Sequence, residues 1–369
     1  MLIAQRTPFR QLLRTYSALI ALPQSISQSN ETLAGIKQSI DRLAISGVSP
    51  EQFASAEKRI AELQAALDSV RSDMSASIEG LRKETEGRNI GSYLPQPPFY
   101  HPDAPGDFMP YSNCVSADFF HPRFDEICRA IHHPFRLHRK LWEWVYIIHQ
   151  LHASGILTAG ARGLVFGVGS ERLPAYFAGL GAHIVATDAP EEIGEANGWK
   201  ATGQYSSAIS NLRHEELVSA DAFDRLVSYE HCDMNNISGH LTGFDFNWSS
   251  CCFEHLGSLE AGIQFVINAV EKTLRVGGVA VHTTEFNLSS NDETIERGET
   301  VLYRRRDMQE LIKRLKDRGH EVDELRVAAD AHPLDYYVDL PPYKHQPHIR
   351  LMLDKYVATS VGIVVRRGR

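Results

Sequence analysis

Cysteine is scarce in this 369-residue chain: Cys114, Cys128, Cys232, Cys251 and Cys252 form an odd set with no CxxC pair and no regular spacing. That excludes a disulfide framework and a cysteine-built zinc cage, so no metal site is expected, and a reducing cytoplasm fits best. No apolar run approaches the ~20 residues that span a bilayer, and the first residues lack a signal-peptide core followed by a small-residue cleavage site. A formal net charge of -8 provides no whole-molecule basic field, which excludes long nucleic acid held by phosphate neutralisation as the default partner. With 43% hydrophobic and 23% charged residues, the chain is long enough for one α/β catalytic domain and an accessory piece.

Acidic residues are missing before Glu31, while Arg6, Arg10 and Arg14 accompany Phe9, Leu12, Leu13, Tyr16, Leu19 and Ile20 at helical spacing. Residues 5–22 therefore read as a basic amphipathic helix that packs on protein, lies on an anionic membrane surface or resembles a transit peptide. Aromatics almost vanish from Ser29 to Arg88, where Leu33, Ile36, Ile40 and Leu43 form one narrow seam. After a break at Gly47–Pro50, with Ser49 and Gln52 placed for a capping box, a second seam runs Ile60, Leu63, Leu67, Val70, Met74, Ile78 and Leu81. Such stripes suit a coiled coil and homo-oligomerisation, or a helical hairpin folded about Gly47.

Pro95, Pro97, Pro98, Pro102 and Pro105 then mark a linker. Helical periodicity returns from Phe124 to Leu151 with His132, His133, His138, Trp142 and Trp144, which reads either as a lid or acceptor platform or as a helix covering the sheet edge. The expected division is 1–90 helical, 91–155 linker and helical cap, and 156–369 catalytic.

The chemistry begins at Leu164-Val165-Phe166, a buried strand entering Gly167-Val168-Gly169-Ser170 and then a helical stretch from Glu171 to Leu180. Strand, glycine turn and helix form the cofactor-binding unit of Rossmann-like sheets, because a side chain in the turn would block the backbone from the ligand. A second strand, Ala182 to Thr187, ends on Asp188, placed to accept hydrogen bonds from ribose hydroxyls. These features suit a nicotinamide enzyme about equally well. A third strand, Leu226 to His231, delivers Asp233 and Met234, an acid for an adenine amino group and an apolar cover for its ring. A fourth, Phe244 to Trp248, precedes a helix opening across Ser249-Ser250-Cys251-Cys252-Phe253-Glu254-His255-Leu256, and a Gly277-Gly278 turn leads into a fifth strand.

With these segments the chain resembles the class I S-adenosylmethionine-dependent methyltransferases, and more narrowly bacterial members associated with glycan and envelope biosynthesis, over about 200 residues from Ala161 to Val365. The resemblance implies an α/β fold, a Rossmann-like seven-stranded methyltransferase sheet with an N-terminal helical coiled-coil extension. The implied cofactor is S-adenosylmethionine, held by Gly167, Val168, Gly169, Asp188, Asp233, Met234 and Ser250. Two departures stand out: Val165 occupies the place of the family's acid before the first glycine, and Glu171 that of its third glycine. Glu171 is a candidate substitute for the missing contact to the methionine amino group.

Methyl transfer to a hydroxyl needs an aligned acceptor and a base. His255, after the fourth strand, is the first candidate, and His282 and Glu285, in a polar run leaving the fifth strand, are the alternatives. The Arg304-Arg305-Arg306 run could bind an acceptor's phosphate or carboxylate, and the Leu340–His345 loop could border its cleft. His320–Arg326 and Ala358–Val365 read as sixth and seventh strands, the last implied by the resemblance to be antiparallel. The expected acceptor is a saccharide or glycan intermediate; the rivals are a small non-sugar or lipid-linked acceptor and a scaffold that has lost catalysis.

Overall fold

The computed structural model describes residues 106–190, 209–344 and 346–369, together with 72–84, residue 86 and helical positions scattered over 54–69. The chain divides into two units, Met1–Lys83 and Glu84–Arg369. In the first unit the described positions are helical, as the second seam predicts; Met74 and Ile78 are half-buried and Leu81 is exposed. The basic helix, the first seam and the prolines Pro95 to Pro105 lie outside the described residues. No helix among the described residues is long and apolar enough to cross a membrane.

The second unit opens with α1 (Ser116–Phe120), α2 (Pro122–Ala130) and α3 (Arg139–Ala153). The single helix expected from Phe124 to Leu151 is thus two. His132 takes a left-handed backbone with φ 50°, and Pro134 cannot continue a helical hydrogen-bond ladder. Helix α3 restarts after His138, whose ring accepts the Lys140 N–H at 3.1 Å. Its Trp142 and Val145 share one core with Phe246, Trp248 and Val281 of the sheet.

The main sheet contains β1 (Arg162–Phe166), β2 (His183–Asp188), β3 (Val227–His231) and β4 (Phe244–Ser250). It continues through β6 (Leu274–Asn287), β8 (Glu321–Val322), β9 (Val338–Asp339), β10 (Arg350–Leu353) and β11 (Tyr356–Arg366). A separate ribbon pairs β5 (Gly257–Ser258) with β7 (Arg297–Gly298). The remaining helices are α4 (Leu173–Gly179), α5 (Ala220–Leu226), α6 (Leu259–Asn268), α7 (Arg305–Asp317) and α8 (Pro333–Tyr336).

Strand order is β3-β2-β1-β4-β6-β11-β10-β9, with β8 beside β11. The strands from β3 to β6 pair in parallel, and β11 enters antiparallel to both β6 and β10, the direction the resemblance implies. Strand β1 has neighbours on both sides, so its faces alternate: Val165 joins the core under α3, and Leu164 and Phe166 join the core that holds α6 and α7. Because order reverses at β1, with β2 on one side and β4 on the other, a crevice opens beyond its carboxyl end.

Several sequence expectations are corrected. Among the described residues the sheet has nine strands instead of seven, two of them the two-residue pieces β8 and β9. The sixth strand expected over His320–Arg326 stops at Val322. The reason lies at the outer edge of β11, where Cys114 N–H donates to Ser360 and Gly362 N–H to Ser112, while Arg326 accepts from Ser112 at 2.7 Å. Asp323 still donates to the Val364 carbonyl, but residues 112–114 take the ladder that 324–326 would need, and β10 occupies the next stretch.

The Gly277-Gly278 turn is a bulge inside β6, not a boundary before it. Register shifts between Phe244 and Phe246, Gly277 adopts φ 79°, and a Cβ on Gly278 would approach the Asp245 carbonyl at 2.9 Å. The polar run His282–Asn287 does not leave the sheet either: it is the end of β6, paired from His282–Ile363 to Asn287–Ala358 because β11 is long enough to ladder all of it. Finally, no helix opens at Ser249. Strand β4 runs to Ser250, Cys251 turns at φ 53°, and α6 starts only after Ser258, whose hydroxyl accepts the Ala261 N–H.

Candidate active site

Beyond β1 the chain turns through Gly167 at φ 62° and Gly169 at φ 51°. A Cβ on Gly167 would lie 2.6 Å from the Cys252 sulfur, so glycine is required by both dihedral and space. The tip of β2 is tied to this turn: Val168 N–H donates to the Thr187 carbonyl at 3.0 Å, and Gly169 N–H to Asp188 Oδ2 at 2.9 Å. Asp188 Oδ1 accepts its own neighbour's N–H, from Ala189, at 2.8 Å. After β3, the Asp233 carboxylate accepts the Asn235 N–H at 2.9 Å, and Met234 is nearly buried beside it.

These segments surround one cavity of about 370 Å³. Gly167, Val168, Gly169, Asp188, Asp233, Met234 and Ser250 all line it, so the seven residues singled out for the cofactor stand together. His255 lines the cavity as well. Lys140 and Trp144 of α3 also reach it. The aromatic content of this stretch pointed toward the site for Trp144, but nothing in the sequence marked Lys140.

Glu171, at the start of the α4 segment, is 4% exposed and lines the same cavity. Its Oε1 accepts the indole N–H of Trp248 at 2.6 Å. Burial pushes its pKa up to about 8, against the lowering effect of that hydrogen bond.

The three base candidates separate. His255 Nδ1 lies 2.8 Å from the Glu299 carbonyl, which accepts its N–H, and Nε2 lies 3.9 Å from Glu254 Oε1. His282 is fully buried, between Phe253 and Phe265, with Nδ1 2.8 Å from the Ser249 hydroxyl. It does not line the cavity, and burial lowers its pKa to about 3, so it stays neutral. Glu285 is also outside the cavity lining; it is ion-paired with Arg139 and 4% exposed. The correction for His282 and Glu285 has one physical cause: both belong to the interior of β6, not to a loop beyond it.

Glu285 belongs to a buried polar cluster between α3, β4, β6 and β11. Arg139 donates to Glu285, to Glu143 Oε1 at 3.3 Å and to Ser360 at 3.2 Å. Both Glu143 oxygens are satisfied, Oε1 by Arg139 and Ser360, Oε2 by Ser250 and Thr283 at 3.1 Å each. Burial would pull the Arg139 pKa down, and Glu285 and Glu143 more than reverse it, keeping the guanidinium charged. Burial also pushes the Cys251 thiol up, reinforced by Glu143 and Glu254.

The arginine run does not offer three free cations. Arg304 is 3% exposed and bound to Asp307, Glu296 and the Asp292 carbonyl, and Arg306 lies 3.6 Å from Asp292. Nor does the Leu340–Lys344 stretch line the cavity: Tyr343 donates its hydroxyl to the Met352 carbonyl at 2.7 Å, and His345 lies outside the described residues.

No protein-family model matches the chain, and no curated protein matches it. Among solved structures it is similar to a sarcosine dimethylglycine methyltransferase candidate from Galdieria sulphuraria, at 16% identity and TM-score 0.29, covering 46% of this chain and 51% of that one. It is also similar to magnesium protoporphyrin IX methyltransferase from Synechocystis PCC 6803, at 13% identity and TM-score 0.36, covering 68% of this chain and 97% of that one. A SAM-dependent methyltransferase from Thiobacillus denitrificans shares 19% identity at TM-score 0.31, covering 48% of this chain and 64% of that one. The chain thus spans about half the length of the first and under two thirds of the third. No residue here takes its role from these likenesses.

Proposed function

We propose that this protein is an S-adenosylmethionine-dependent methyltransferase that methylates a hydroxyl of a saccharide acceptor. The observation that carries the reading is the meeting of the Gly167–Gly169 turn, Asp188 and Asp233–Met234 around one cavity beyond β1, at the point where strand order reverses. The cofactor, when bound, supplies an electrophilic methyl group on a sulfonium. Asp188, oriented by two backbone N–H groups, would accept the ribose hydroxyls. Asp233 and Met234 would hold the adenine, and Glu171 the α-ammonium in place of the acid absent at Val165.

Glu171 also weighs against a nicotinamide cofactor. A pyrophosphate at the head of α4 would face the carboxyls of Glu171 and Asp188, whereas an ammonium and a sulfonium are attracted to them.

On the acceptor side, Trp144 offers an apolar ring face and Lys140 and Asn235 offer donors around the same cavity, a combination suited to the apolar face and hydroxyl rim of a sugar ring. His255 would take the hydroxyl proton at Nε2, with the Glu299 carbonyl fixing the tautomer. The test is transfer of labelled methyl from S-adenosylmethionine into glycan fractions and small-molecule pools. Label in carbohydrate, lost in His255→Ala, supports the proposal. Label only in non-carbohydrate material overturns the saccharide assignment, and no label with no cofactor binding overturns the methyltransferase.

A further inference from the structure

We infer that Cys251, Glu254 and Glu285 form a divalent-cation site of the zinc type behind the Cys251 wall of the cavity. One ligand atom from each, a sulfur and two carboxylate oxygens, lies within 4.8 Å of the others. Ligands of a tetrahedral zinc ion with its usual bond lengths stand roughly 3.5 Å apart, so a modest contraction completes the set.

The stronger observation is the state of the two carboxylates. Glu254 is fully buried; its Oε2 accepts the Thr284 hydroxyl at 3.0 Å, while Oε1 makes no hydrogen bond among the described residues and has His255 Nε2 3.9 Å away. Glu285 repeats the pattern: Oε1 is held by Arg139, and buried Oε2 has no hydrogen-bond partner among the described residues. A buried carboxylate oxygen left without a hydrogen bond is costly, and two in one cluster with a thiol are difficult to explain as packing. Carboxylates steered by an outer donor on one oxygen and offering the other are what metal ligation requires. Neighbouring Glu143 provides the contrast, since both its oxygens are occupied.

A cysteine sulfur among the ligands favours zinc or cobalt over magnesium or calcium. Three protein ligands leave a fourth position open, and Cys251 also lines the cavity. Ion binding is independent of what fills the cavity; only its use, lowering the pKa of an acceptor hydroxyl, rests on the methyltransferase reading.

The probe is Co²⁺ added to the full chain after chelator treatment and dialysis, read by absorption. The expected result is one ion per chain, visible bands of tetrahedral intensity and a near-ultraviolet thiolate-to-cobalt band, all displaced by Zn²⁺. Cys251→Ser should remove the near-ultraviolet band, and Glu254→Gln and Glu285→Gln should each weaken Co²⁺ binding at least tenfold, with circular dichroism confirming the folded state. Cys128→Ser, in α2 and outside the ligand set, should retain the band. Absence of stoichiometric Co²⁺ binding, or a thiolate band that survives in Cys251→Ser, would overturn the site. S-adenosylmethionine binding measured on the same sample separates the two ideas: cofactor binding without cobalt sinks only the cation site, and cobalt binding without cofactor sinks only the methyltransferase.

Discussion

The indole N–H of Trp248 and the carboxyl of Glu171 meet at 2.6 Å, joining β4 to the start of the α4 segment. The contact fixes a buried acid on the cavity wall, with its pKa raised to about 8. An ammonium bound there favours the ionised form and expels the proton. Cofactor affinity should therefore rise with pH between about 6 and 8.5 and then level off. Calorimetry in buffers of different ionisation enthalpy should show proton release near pH 7, and Glu171→Gln should abolish both the release and the slope.

The same acid has the opposite effect on the ligand-free fold. A carboxyl whose folded pKa lies near 8 and whose unfolded pKa lies near 4.5 contributes stability that is fully present below pH 4.5 and is lost as pH rises through 8. Denaturant titrations over that window should show stability falling with pH, and Glu171→Gln should flatten the curve.

His282 should set an acid limit. It is neutral in the fold with a pKa near 3, whereas the unfolded imidazole protonates near 6.5. Its contribution is present above pH 6.5 and lost as pH falls toward 3, at up to about 1.4 kcal/mol per pH unit for one proton. A His282→Asn variant that keeps the native slope between pH 6 and 4 would refute this.

Arg139 is the cation on which the buried cluster depends. Arg139→Met should destabilise the protein by about 3–5 kcal/mol, because carboxylates remain buried without their counter-charge. Adding Glu285→Gln should recover part of that loss. Thermal melts of the single and double variants measure the coupling, and simple additivity would contradict it.

Much of this arrangement was legible in the sequence. Short apolar runs ending in Gly167, Asp188 and Asp233 locate strand tips, because a buried parallel strand must be apolar and the residues after it must meet a ligand with backbone or carboxylate. What lay hidden depends on partners distant in the chain. Nothing around His282–Asn287 shows that β11, some seventy residues on, will extend the sheet along it, so a polar run looked like a loop. Residues 112–114 take a strand edge that local periodicity assigned to 324–326. Lys140 and Arg139 sit at the head of a helix with ordinary helical patterning that also supplies Glu143, and only the packing of α3 on β6 reveals Glu285 as the second charge partner.

The central claim is tested most directly by calorimetric titration of S-adenosylmethionine into the intact protein and into Asp188→Ala. The account predicts one site per chain, at least tenfold weaker in the variant, a loss of about 1.4 kcal/mol or more, with no tight binding of reduced nicotinamide cofactor by either. Absence of S-adenosylmethionine binding, or binding indifferent to Asp188, would contradict it.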